Sequence, residues 1–234
     1  MSFAKTAKKE GPTLASISFS AVLLTLVGAL LGFLFLASVP PMSFRSVADL
    51  NAYLEKKPEL NLLDRSYFEG PVSSSRSWEQ KREVLFNGSA TTVELTAGEL
   101  NAWMSAKFRK PSVVPAVGDK AGILILPDVP NFFIDAAAGF ILSLPTEVTV
   151  FGSSHDRIMI ALGRFSAGPQ VQFQISALRV NDAAIPMIAG LGKQLLQALL
   201  LAYSQTEEFI ACQKAWEKVE SVELVAGAMR LKLR

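Results

Sequence analysis

The chain has 234 residues, half of them apolar, with 23 basic and 21 acidic side chains and a net charge of +2. Lys5, Lys8, Lys9 and Glu10 account for that surplus, so everything after residue 39 is neutral. It lacks the basic stripe that drives nucleic-acid affinity, which excludes DNA and RNA as partners. One cysteine, Cys212, and one histidine, His155, rule out an internal disulfide and are too few for a zinc site, so no cofactor and no metal are expected.

Between Glu10 and Arg45 no side chain is charged. Residues 13–39 predict a helix of about 40 Å, longer than the roughly 30 Å hydrocarbon core of a bilayer, and their Leu, Ile, Val and Phe side chains favour insertion by about 4–9 kcal/mol. The stretch exceeds the roughly 7–15 apolar residues of a signal peptide, and its only small-residue cleavage candidate, Ala37-Ser38-Val39, runs into Pro40-Pro41. An uncleaved transmembrane anchor is expected, with the lipid bilayer as its first partner. The lysines before it favour a cytoplasmic N-terminus, residues 1–12, and an exported domain. That places the chain as a single-pass protein of a bacterial inner membrane with a periplasmic domain. Gly28 and Gly32 form a GxxxG spacing, a helix face on which a membrane-protein partner would pack.

Residues 40–77 read as a membrane-proximal helix and linker. Ser46 caps a short helix over 46–57 in which Val47, Leu50 and Leu54 share a face; Pro58 ends it, and GPVSSSRS at 70–77 is loop chemistry and a hinge. The exported α+β domain, residues 78–234, opens with a helix over 78–86 stopped by Asn87-Gly88. A strand over 91–95 then runs into Thr96, which with Glu99 makes a capping box for a helix over 97–107 that buries Leu100, Trp103 and Met104.

From 122 to 184 the pattern turns to strands: 122–126, 132–136, 139–144, 147–151, 157–165 and 171–180, divided by PDVPN, Pro145-Thr146, SSHD and SAGP. Short connections predict an antiparallel meander. Val171, Phe173 and Ile175 alternate with Gln172, Gln174 and Ser176, so one face of that strand is wet. Ile158, Met159, Ile160, Ala161 and Leu162 are consecutive, so their strand must be covered on both faces. Pro186 opens an apolar helix over 187–203, with Ile188, Leu191, Leu195, Leu199 and Ala202 on one side, which reads as a core helix against the sheet. A helix over 206–218, with Glu207 and Glu208 near its start, and a hairpin of 221–225 and 228–233 close the chain. The expected fold is α+β, a transmembrane helix followed by a curved antiparallel β-meander packed on a long apolar helix.

No catalytic motif stands out. Ser153, Ser154, His155 and Asp156 are the only hydrolase-like cluster, and neighbours in a hairpin turn do not reach triad geometry. Glu99 of the Glu94/Glu99 pair is occupied in capping, and Asp128 of the Asp128/Asp135 pair lies in a Pro-flanked turn. Gly190-Leu191-Gly192-Lys193 lies inside the apolar helix, without phosphate-loop spacing, and Cys212 reads as a packing residue. A non-enzyme is expected. The candidate site is the apolar lining of an elongated ligand pocket: Phe132, Phe140, Phe151, Ile160, Phe165 and Phe173 on the sheet, with Leu191 and Leu195 on the helix.

One span, then VELTAGELNAWM as a strand entering a capped helix, then the meander, then LRVNDAAIPMIAGLGKQLLQALL as a strand entering a Pro-started apolar helix, resembles the YpmS-like group of bacterial envelope proteins. These are similar to the tubular lipid-binding fold, a curved antiparallel sheet wrapped on a long helix. The resemblance covers residues 78–234 and implies binding of a lipid or acyl ligand at the outer face of the inner membrane; it implies no catalytic residues. The membrane-proximal helix lies outside its pattern. The alternative expectation is an interaction subunit of an envelope complex that takes no small ligand.

Overall fold

A computed structural model of the chain describes residues 13–60, 62–69, 76–88, 91–108, 123–150, 153–166, 168, 170–187 and 190–234. The fold is mixed α+β, with an N-terminal apolar helix and two antiparallel sheets. The first helix, α1 (Leu14–Ser38), is capped by the Thr13 hydroxyl and is exposed along its apolar length. Ser16–Ser38 has a mean hydropathy of 2.5 and is long and apolar enough to cross a membrane.

The larger sheet is built from β4 (Ile123–Pro127), β5 (Asn131–Asp135), β6 (Gly139–Val150), β7 (Ser153–Ser166), β8 (Gln172–Val180) and β9 (Ala183–Ala184). Its order is β4-β6-β7-β8-β9, and β5 also pairs with β6. Thus β4 and β5 together make one edge strand, interrupted at Asp128–Pro130, along the length of β6.

That interruption explains a departure from the sequence reading. Pro145-Thr146 does not divide two strands, because β6 runs through it unbroken. The Pro145 carbonyl accepts from the Asp128 amide, so its missing N–H faces the same edge, where the ladder is already broken and no hydrogen bond is forfeited. Likewise Ser153–Asp156 are strand residues of β7, with His155 opposite Val148, rather than a turn.

The consecutive apolar residues of β7 separate cleanly. Met159 and Ala161 face the main core, while Ile158, Ile160 and Leu162 face a second one. The cover on that second face is the segment that follows α1: β1 (Met42–Phe44), α2 (Val47–Lys56) and β2 (Ser66–Phe68), with a 3-10 turn at Leu63–Arg65. Strands β1 and β2 pair in parallel, bringing Phe44 beside Phe68, which is wholly buried and stacks on Phe133 at 3.9 Å. Arg179 of β8 clamps the turn through Asp64 at 3.0 Å. Residues 40–69 are therefore part of the sheet's packing; of the expected hinge, residues 70–75 lie outside the described residues.

On the other face lie α3 (Ser77–Asn87), β3 (Thr92–Thr96), α4 (Ala97–Lys107), α6 (Glu207–Trp216), β10 (Val219–Val225) and β11 (Ala228–Leu233), the strands forming a small sheet in the order β10-β11-β3. The expected capping box of Thr96 and Glu99 forms in full. The apolar helix is shorter than the sequence implied: α5 is Leu191–Leu200, tightening to a 3-10 turn at Leu201–Tyr203, with Leu196, Leu199 and Tyr203 buried. Residues 188–189 lie outside the described residues. Opposite Leu162/Gly163, β8 carries an extra residue at Ser176, and this bulge shifts the phase, so the inward residues pass from Phe173 and Ile175 to Leu178 and Val180.

Asn181 joins these parts at the turn after β8. It takes a φ of 50°, a left-handed conformation that Asn tolerates. Its side-chain carbonyl accepts from the Ile158 amide and its Nδ2 donates to the Ala37 carbonyl, each at 2.7 Å. The end of α1 is thus tied to the sheet by one buried amide.

If residues 40–69 are a structural cover, Phe68→Ala lowers stability by about 3–5 kcal/mol, whereas Leu60→Ala at an exposed position changes it by less than about 0.5 kcal/mol. Urea unfolding of the full chain in micelles, followed by tryptophan fluorescence, checks this; equal midpoints for the two variants contradict it.

Candidate functional site

Between the larger sheet and the layer of α3, α4, α6 and the small sheet lies a hollow of about 250 Å³. The sheet contributes Phe132, Phe140, Leu142, Phe165 and Phe173. Phe140 is the hub, with ring centroids 5.2 Å from Phe132, 5.2 Å from Phe165 and 5.7 Å from Phe173. Gly163 lies opposite Phe140 in the ladder, and a Cβ there would meet the Phe173 ring at 2.8 Å. A glycine is what lets the three rings close over that point of the sheet.

The opposite wall is Leu85 of α3, Leu95 of β3, Leu100, Trp103 and Met104 of α4, Cys212 and Trp216 of α6, and Met229 and Leu231 of β11. Alternation along β3 and β11 turns these strand residues inward, and the 3.6-residue period puts Leu100, Trp103 and Met104 on one helix face. Among the described residues no charged or amide side chain lines the hollow.

Behind this wall, charge fixes the helices. Glu208 of α6 accepts from Arg82 Nε at 2.6 Å and Nη2 at 2.7 Å, and from Trp103 Nε1 at 2.6 Å. Burial pulls the Glu208 pKa up, but the bonds from Arg82 and Trp103 outweigh it and hold the carboxyl below its ordinary value. Arg82 also lies over the Phe86 ring at 4.4 Å. Trp103 therefore shows its ring to the hollow while its N–H is satisfied on the far side. Glu99 does the same work for α3 and β3, accepting from Ser77 and Lys81 at 2.7 Å each and from the Thr96 amide at 2.9 Å. Burial raises its pKa, yet Lys81, Thr96 and Ser77 together bring it down to about 2. On the sheet side, Asn101 of α4 pairs with both the N–H and the carbonyl of Phe132, standing in for a neighbouring strand on the edge of β5.

Of the residues read from sequence, Phe132, Phe140, Phe165 and Phe173 come together in the hollow. Leu195 packs against the same core without lining it. Ile160 points to the opposite face and is buried under Phe44, Leu50 and Phe68. Phe151 and the side chain of Leu191 lie outside the described residues. The small sheet and α6 supply a wall that sequence reasoning did not assign; Cys212 and Trp216, one helical turn apart, were its available signal.

The arrangement offers little to chemistry. Burial, and next the Glu208 carboxylate, push the Cys212 thiol up to about 12, so it stays protonated. Among the described residues no group of His, Cys, Asp or Glu is arranged to hold a metal ion. Comparison with family models, with curated proteins and with solved structures finds no match.

Because the Glu99 carboxyl is held near 2 in the fold, against about 4.5 when free, its contribution is complete above pH 4.5 and is lost as pH falls toward 2. Glu99→Gln should therefore cost on the order of 3 kcal/mol at pH 7, with the gap to the unsubstituted chain closing below pH 4.5. Urea midpoints measured from pH 7 to pH 2.5 check it; a pH-independent gap contradicts it.

Proposed function

We propose that this chain is a membrane-anchored, non-enzymatic binding protein whose domain takes up a lipid or another hydrophobic ligand in the hollow around Phe140. The observation that carries the reading is the combination of size and lining. The hollow of about 250 Å³ presents only apolar surface from its described lining, and apolar surface is costly to leave in contact with water. Water is a poor filler, since it needs about 2–4 polar partners and the lining supplies none. A hydrocarbon group needs none and recovers the lost contacts.

The anchor supports the same reading by holding the domain beside a source of such molecules. On the positive-inside rule the domain lies on the extracytoplasmic side of a bacterial inner membrane. The resemblance to YpmS-like proteins points the same way. A second reading, an interaction subunit of an envelope complex, has one observation in its favour: a Cβ added at Gly28 or Gly32 meets nothing within 4 Å, so α1 carries an open small-residue face. If that face pairs helices, Gly28→Leu with Gly32→Leu removes a crosslinked species formed in native membranes. An unchanged crosslinking pattern contradicts this second reading.

The ligand reading is tested with a long-chain alkyl diazirine that carries no headgroup, photolysed in nanodiscs containing the full chain. Labelled peptides should include those bearing Phe140 and Trp103, and Leu142→Trp, which fills the hollow, should reduce that labelling by about tenfold or more, equivalent to about 1.4 kcal/mol. Labelling confined to residues 14–38 overturns it.

A further inference from the structure

A second recess, of about 660 Å³, lies beside the hollow, and Cys212 and Trp216 line both. Its character is different: Gln170, Gln213 and Glu217 line it together with Phe209, and among the described residues no basic side chain does. Trp216 packs on Phe165 at 5.6 Å, and its indole N–H donates to the Val171 carbonyl at 3.0 Å, so the ring between the two spaces has its polar edge satisfied. Among the described residues the hollow is lined by apolar surface and the recess carries polar side chains as well.

Resting on the ligand reading above, we propose that the ligand is a single-chain amphiphile with an uncharged, hydrogen-bond-donating head such as a hydroxyl, its tail lying past Trp216 among the phenylalanines and its head at Gln170, Gln213 and Glu217. The inner hollow is smaller than the roughly 300–1,000 Å³ of drug-sized ligand sites, which suits one chain and not two. Glu217 only accepts hydrogen bonds and repels carboxylate or phosphate heads, while the two glutamines satisfy a donor or an acceptor. The opening also lies at the far end of β8 from the anchor. Val171 precedes the strand and Asn181, tied to Ala37, follows it, so the nine residues between separate them by about 30 Å at about 3.4 Å each. The head enters at the end of the domain opposite its tether.

The experiment uses the full chain in nanodiscs and three brominated quenchers of tryptophan: a dibromoalkanol, the matching dibromoalkanoate, and a dibrominated diacyl phosphatidylcholine. Only the single-chain alkanol and alkanoate should quench, through Trp103 and Trp216, and Trp216→Phe should remove part of the quenching. The alkanol should bind about threefold tighter than the alkanoate, as expected for a charge effect at an exposed carboxylate, and Glu217→Gln should erase that preference. Glu217 is exposed, so this variant leaves the fold intact. Equal or tighter binding of the alkanoate, a preference untouched by Glu217→Gln, or quenching by the diacyl lipid overturns the proposal. If the headless diazirine labels the hollow while these results fail, only the headgroup and chain assignment falls; if the diazirine also fails, the ligand reading falls with it.

Discussion

Strand β7 is apolar on both faces, and the domain is organised by the need to cover it twice. A strand with Ile158, Ile160 and Leu162 on one side and Met159 and Ala161 on the other gains burial energy only if two layers pack on it, at roughly 25 cal/mol per Å² removed from water. One layer comes from the C-terminal half of the chain together with α3, β3 and α4. The other comes from the residues that follow α1. The segment joining α1 to the sheets is thereby a structural layer, and Asn181 ties the helix end directly to the turn that closes β8.

The two covers are packed differently. Beneath the segment after α1, Phe44, Phe68 and Phe133 fill the space, with Phe68 fully buried. On the other side the helices are held by buried carboxylates, Glu208 to Arg82 and Trp103, and Glu99 to Lys81 and Ser77. Such groups set positions rigidly because their bonds leave few alternatives. Helices fixed from behind cannot collapse onto the sheet, and the apolar side chains on their inner faces leave a hollow between themselves and the phenylalanines. The rigidity that makes the hollow also keeps it open.

Local chemistry was legible in the sequence. The capping box of Thr96 and Glu99, the Ser46 cap, the Gly88 stop and the terminal hairpin all depend on neighbours a few residues apart. So was the double coverage of β7, although not what supplies the second cover, because β1 and β2 are three residues each and pair in parallel across a long separation. Pro145 misled because its effect depends on which edge its nitrogen faces, a tertiary fact. At the site, the phenylalanine positions followed from strand periodicity, but period alone cannot tell the two faces of a doubly covered strand apart, and Ile160 belongs to the other one. The wall from α6 and β11 depends on contacts across the whole domain.

The most direct measurement of the central claim, that the hollow holds a hydrophobic ligand, is native mass spectrometry of the full chain released from nanodiscs after isolation from its own membranes. One small amphiphile should be bound per protein, retained at collision energies that strip bilayer lipid, and absent from Leu142→Trp. A spectrum of bare protein, or one in which Leu142→Trp keeps the same bound mass, contradicts it.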